Sequence, residues 1–220
     1  MMGSKQTSPL RRKAYHAGSW YSDDKHELNQ ELANYLKAAQ DGLNGVEGGR
    51  GGVPRAIVSP HAGFSYSGPT AAWAYVALSE AMFHHKMENN GSSLKIVVLH
   101  PSHHVYLNGC AISSADLIET PLGTLTVSSS LRNELLGLKR KGKAAFQLMS
   151  LKTDEEEHSG EMQYPFVVKV INDVTKRASS STNNKEINVE VLPIMVGSIG
   201  EEKEAEYGRL LSGVLARSGR

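Results

Sequence analysis

Ile96-Val97-Val98-Leu99-His100-Pro101-Ser102-His103-His104-Val105 is the stretch on which the fold turns. Four apolar residues in a row, rich in β-branching, predict a buried strand at the centre of a sheet. The run then meets Pro101 and delivers Ser102, His103 and His104 at its end. Open α/β sheets present their sites this way, in the crevice beyond the carboxyl ends of buried strands. Arg55-Ala56-Ile57-Val58-Ser59-Pro60-His61 has the same form, a short apolar strand expected over 53–59 and then Ser-Pro-His. Two strands that each deliver histidine after a proline organise the rest of the reading.

Working outward, Ser22 or Asp23 can cap a helix starting near Asp24 and ending near Ala39, with Leu28, Leu32, Tyr35 and Leu36 on one face. Pro69 suits the first position of a second helix, whose stripe is Ala71, Ala74, Leu78 and Ala81. Short strands are expected at 111–114 and 120–127, and a modest helix at 130–138. Thr153 to Glu156 matches a capping box. Val167, Val170, Ile171 and Val174 mark the face of a helix whose start Pro165 resets. Ile187–Val196 reads as a strand bent or partly unpaired at Pro193. A second capping box, Ser198 to Glu201, precedes a helix carrying Tyr207, Leu210, Leu211, Val214 and Leu215. Polar loops are expected at 42–52, 86–93 and 177–185. Strands alternating with helices predict an α/β fold, a mostly parallel sheet with helices on both faces. Residues 1–13 are expected to form a flexible arm and 14–220 a single domain.

Bulk properties narrow the function classes. The chain has 220 residues, 40% hydrophobic and 21% charged, with a net charge of +1. That is enough chain for one α/β domain, and its charge gives no electrostatic reason to expect nucleic acid or an acidic membrane surface. The single cysteine, Cys110, excludes an intrachain disulfide and fits a reducing, cytoplasmic setting. No apolar run has the length of a membrane span, and the first 13 residues lack the apolar core of a secretory signal.

Nine histidines carry most of the chemical interest. Neutral imidazole ligates iron, copper and zinc. His61, His100, His103 and His104 cluster at the strand ends. A histidine there is more often a hydrogen-bonded structural residue than a ligand, so the pairing of two strand ends carries the reading. His103 and His104 point to opposite faces of extended backbone, so one of them is expected to coordinate and the other to support. His26, His84 and His85 read as solvated. The acidic run Asp154 to Glu157 reads as a solvated helix start. His158 and Glu161, three apart, share a helix face and could form an acid/base pair or support a metal. Two histidines hold a catalytic metal poorly, and no residue declares itself as the third ligand.

Four motifs in order carry a family resemblance: His16-Ala17-Gly18-Ser19-Trp20-Tyr21, Pro60-His61-Ala62-Gly63-Phe64-Ser65-Tyr66-Ser67-Gly68, Pro101-Ser102-His103-His104, and Asp154-Glu155-Glu156-Glu157-His158-Ser159-Gly160-Glu161-Met162. Together they resemble the Memo family, relatives of the class III extradiol dioxygenases. The resemblance runs from about His16 to the end of the chain. It implies an α/β, extradiol-dioxygenase-like fold with a metal-type pocket, in which His61 and His103 are the metal ligands. It also implies iron or copper as cofactor, redox activity, and a signalling role in cell motility with phosphotyrosine peptides as partners.

The chain departs from the family pattern in lacking the later strand ending Asp-x-x-His and the later pocket cysteine, whose place Cys110 does not occupy. It is therefore expected to be a C-terminally truncated member, covering the N-terminal two-thirds or so of the family domain. Its three polar loops look like expansions. The expected function is a metal-binding redox protein with His61 and His103 as ligands of a weakly held metal and His158 and Glu161 as candidate catalytic residues. The alternatives are a non-catalytic peptide-binding module or an inactive truncated form.

Overall fold

A computed structural model describes residues 8–44, 53–88, 93–179 and 187–218. Most of the three expected polar loops lies outside the described residues, and their described flanks at 42–44, 86–88 and 177–179 continue helices. In chain order the elements are β1 (Arg11–Arg12), α1 (Lys25–Asn44), α2 (Phe64–Glu88), β2 (Leu94–Pro101), β3 (Cys110–Ser113), β4 (Leu117–Thr120), β5 (Gly123–Val127), α3 (Ser129–Gly137), β6 (Lys139–Arg140), β7 (Lys143–Ala144), β8 (Phe146–Met149), α4 (Leu151–Glu156), α5 (His158–Glu161), α6 (Tyr164–Ser179), β9 (Val189–Val196) and α7 (Glu201–Ser218).

The sheet is built on β9. On one side β9 pairs in parallel with the whole of β2, from Leu94 opposite Val189 to Pro101 opposite Val196. On the other side it meets β5 in parallel at Glu190–Val191 and β3 antiparallel at Ile194–Val196. The sheet forks there: β5 leads to β4 and β1, and β3 leads to β8. Most pairings are parallel, as expected of an α/β fold. Val191 to Met195 are buried without a break although successive side chains face opposite ways, so both faces of the centre are covered. Pro193 falls between the two partners on the forked side, at a position that neither β5 nor β3 pairs, which fits the partly unpaired strand expected there.

β9, not β2, is therefore the central strand. Among the described residues β2 pairs only with β9, and Leu99 near its end is 55% exposed. The strand expected over 53–59 is irregular instead. Pro54 and Pro60 remove two backbone donors, and the segment has no ladder partner among the described residues. Ile57 still packs against the core, while Val58 is 95% exposed.

The helices place the site by close packing. Leu28 and Leu32 of α1 are fully buried, with Tyr35 and Leu36 packed beside them. Two glycines let α1 and α2 approach: a Cβ on Gly68 would lie 2.4 Å from the Tyr35 ring, and one on Gly42 would lie 2.5 Å from Trp73. Asp24, rather than Ser22 or Asp23, caps α1 through bonds from the His26 and Glu27 amides at 2.8 Å each. α2 starts at Phe64, so Pro69 lies inside it. The Phe64 amide donates to the Trp20 carbonyl at 2.9 Å, and this anchor lets the helix begin before its proline. Ser150 caps α4 and Thr153 donates its amide to that cap. Pro165 near the start of α6 separates it from α5, as expected.

The arm expected through Lys13 is ordered from at least Arg11. Arg11–Arg12 pairs in parallel with Leu117–Ile118 of β4. Its second residue is a fully buried arginine, which links this edge of the sheet to the candidate site.

Candidate metal centre

Three separate pieces of chain bring three histidines together. The irregular segment before α2 carries His61, the turn after β2 carries His103, and α5 opens with His158. One ring nitrogen from each lies within 4.8 Å of the others. Ring centroids are 4.7 Å apart for His103 and His158, 5.2 Å for His61 and His103, and 5.8 Å for His61 and His158. His61 and His103 are the two ligands expected from sequence, and His158 supplies the third imidazole that the sequence did not announce. His104 stays outside the group, its ring 6.1 Å from His158. His26 and His84 are exposed, as expected, whereas His85 is half-buried.

The rings are held in place by neighbours. Trp20 stacks on His158 at 4.2 Å between centroids. Glu157, 1% exposed, lies beneath the pair. Its Oε2 accepts the His103 backbone N–H at 2.6 Å, and its Oε1 accepts the Ser159 N–H at 3.0 Å and faces His103 Nδ1 at 3.2 Å. His158 Nδ1 lies 3.4 Å from the same Oε1 and is otherwise buried without a hydrogen-bond partner.

Behind this layer is a buried ionic network. Arg12 Nε donates to Asp154 Oδ1 at 2.8 Å and Nη1 to Glu161 Oε2 at 2.6 Å. Its Nη2 donates to the carbonyls of Asp154 and Glu157, at 2.8 and 3.1 Å. Glu161 also accepts the His16 N–H at 2.8 Å and the Tyr21 hydroxyl at 2.7 Å, and faces His16 Nδ1 at 3.1 Å. Asp154 accepts the Ser113 hydroxyl. The acidic run is thus not a solvated helix start: Asp154 and Glu157 are buried, while Glu155 and Glu156 are half-buried. Nor does Glu161 pair with His158. It turns toward Arg12, His16 and Tyr21.

The electrostatics suit a cation. Burial pushes the pKa of His61 down, and the nearby His103 adds to the effect over the opposing pull of Glu157. Burial does the same to His158, against Glu157 and with help from the neighbouring histidines. Burial opposes ionisation of Glu157, but hydrogen bonds from His103 and Ser159 override it and hold the carboxyl at about 2. Burial opposes Glu161 too, and the bonds from His16 and Arg12 bring it below the usual carboxylate range. Imidazoles facing one another over an ionised carboxylate form a donor set that fits a borderline metal such as iron, copper or zinc. Bonds of about 2.1 Å to one ion would set the ligand nitrogens no more than about 4.2 Å apart.

Sequence reasoning missed His158 as the third member of the cluster, Glu157 beneath it, and Arg12. Glu157-His158 resembled a helix start, and Arg12 lay in an apparent arm. Cys110 is a buried core residue whose thiol burial pushes up to about 11.

Comparison with known proteins places this geometry in context. A family model described as Memo-like protein matches residues 12–218. Protein MEMO1 of Danio rerio is 36% identical over 205 residues, covering 93% of this chain and 58% of that protein, and the same figures hold for Protein MEMO1 of Homo sapiens. Protein memo-1 homolog of Caenorhabditis elegans is 35% identical over 201 residues, covering 91% of this chain and 47% of its own length. The chain thus spans less than two thirds of the length of these relatives.

Proposed function

Given that the chain belongs to the Memo-like family, we propose that it binds a redox-active metal, iron or copper, through His61, His103 and His158. The observation that carries the proposal is the convergence of three ring nitrogens within 4.8 Å. Bound there, such a metal supplies one-electron chemistry and coordination positions beyond the three imidazoles. His158 serves as a ligand rather than as an acid/base residue. Glu161 serves as an anchor behind it, fixing His16 and Tyr21 through the bonds described above. Trp20 walls one side of the site and limits the mobility of His158.

Elemental analysis of the purified protein tests the proposal. Wild type should carry iron or copper in stoichiometric amounts after anaerobic loading and desalting. His61→Ala combined with His103→Ala should carry at most a tenth as much. Equal metal in both would overturn it. Binding of a phosphotyrosine peptide that persists without the histidines and without metal would favour a non-catalytic module instead.

A further inference from the structure

Glu157 is buried beneath two of the three proposed ligands, yet it is poorly placed to be a ligand itself. Its oxygens already receive the His103 and Ser159 backbone N–H groups, at 2.6 and 3.0 Å. What remains of its accepting capacity is turned on imidazole nitrogens. Oε1 lies 3.2 Å from His103 Nδ1 and 3.4 Å from His158 Nδ1. An ionised carboxylate can only accept hydrogen bonds. An imidazole nitrogen facing it must carry the proton, and in the neutral ring the lone pair then belongs to the other nitrogen. His158 Nδ1 is buried without a hydrogen bond, and the Glu157 carboxylate 3.4 Å away is the opposite charge that it faces.

We infer that Glu157 is a positioning residue that fixes His103 and His158 as Nδ1–H tautomers, leaving both Nε2 lone pairs free for a metal. The inference rests on the metal-binding reading for its purpose but not for its geometry. By gripping the His103 backbone as well, the same side chain also locks the turn after β2 to the start of α5. Carboxylates in this position behind a ligating histidine set its tautomer and raise its basicity, and their loss typically weakens metal binding 10- to 100-fold. Glutamine in this place cannot satisfy all the donors. One of its two positions is an NH₂ that either opposes a backbone N–H or donates to a ring nitrogen, which then gives its own proton to Nε2.

Two measurements test the inference. Long-range nitrogen–proton NMR correlations on the metal-free wild-type protein should show His103 and His158 as Nδ1–H tautomers. Observing Nε2–H on His103 overturns the inference, whether or not any variant folds. Zn(II) affinity, measured by competition with a chromophoric chelator, should fall 10- to 100-fold in Glu157→Gln while the fraction of His103 in the Nε2–H form rises. Unchanged affinity together with an unchanged tautomer in a folded Glu157→Gln protein overturns it. If wild type shows the Nδ1–H tautomers, and Glu157→Gln loses them, but neither protein binds metal, the positioning stands and the metal-binding reading fails.

Discussion

His100 lies one turn of chain from the proposed ligands, but its surroundings give it a different role. It is buried, and its Nδ1 sits 3.0 Å from the Ser159 hydroxyl. That hydroxyl donates its only proton to the Pro101 carbonyl at 2.7 Å, so His100 must donate from Nδ1. Burial lowers its pKa from 6.5 to about 4, outweighing the upward pull of Asp154 and Glu157, and Arg12 adds a smaller downward push. The folded pKa lies below the unfolded one, so the unfolded chain takes up the proton first as pH falls. Stability is therefore full above pH 6.5 and is lost between 6.5 and about 4, by roughly 3 kcal/mol. Urea titrations from pH 7 to 4 should show this slope in wild type and a flatter one in His100→Gln. An identical slope in both would exclude His100 as the source. Glu157, held at about 2, acts in a lower window: its contribution is present above about 4.5 and is lost as pH falls toward 2. At this scale the sequence picked out His61 and His103, because a histidine following an apolar run and a proline is a local pattern, but it grouped His100 and His104 with them and left out His158. It did not separate ligand from structural histidine, because that depends on Ser159, Glu157 and Trp20, which come from elsewhere in the chain.

Among the elements, β1 illustrates how little a local pattern can say. Leu10-Arg11-Arg12-Lys13 has the composition of a solvated arm. Arg12 is buried because Asp154 and Glu161, more than 140 positions later, provide two carboxylates and the carbonyls of Lys13, Asp154 and Glu157 take the remaining donors. Burial works against its charge, and the neighbouring Tyr164, Asp154 and Glu161 more than offset that. Removing the cation leaves two buried carboxylates unpaired, which costs about 3–5 kcal/mol. Arg12→Met should lower Tm by roughly 10 °C and increase proteolysis between β1 and α1. A Tm within about 2 °C of wild type would contradict the network's role. Helices, by contrast, were legible because apolar spacing is carried within the element: Leu28 and Leu32, Val167, Val170 and Val174, and Tyr207 and Val214 are all buried. The error over 53–59 has the opposite cause. Its apolar residues are local, but a strand exists only through a partner, and the described residues supply none.

At the scale of the whole molecule, the sheet has β9 at its centre and β2 paired on one side only among the described residues. Leu99 leaves apolar surface on β2 itself. Unpaired edges and apolar patches favour association between chains. Light scattering should show concentration-dependent association of the wild-type protein, reduced in Leu99→Lys, since a lysine on an edge strand opposes pairing. A monomer at every concentration would contradict this. Among the described residues no helix is long and apolar enough to cross a membrane. The α/β class and the largely parallel sheet were legible from the alternation of strands and helices. The choice of central strand was not, because β2 and β9 are both apolar runs of similar length and only topology ranks them.

The account depends most on three imidazoles acting together, and X-ray absorption at the metal edge tests that most directly. Iron- or copper-loaded wild type should give a nitrogen shell near 2.0–2.1 Å with multiple scattering from three imidazoles, falling to two in His158→Ala. Identical spectra from wild type and His158→Ala would contradict the proposed centre.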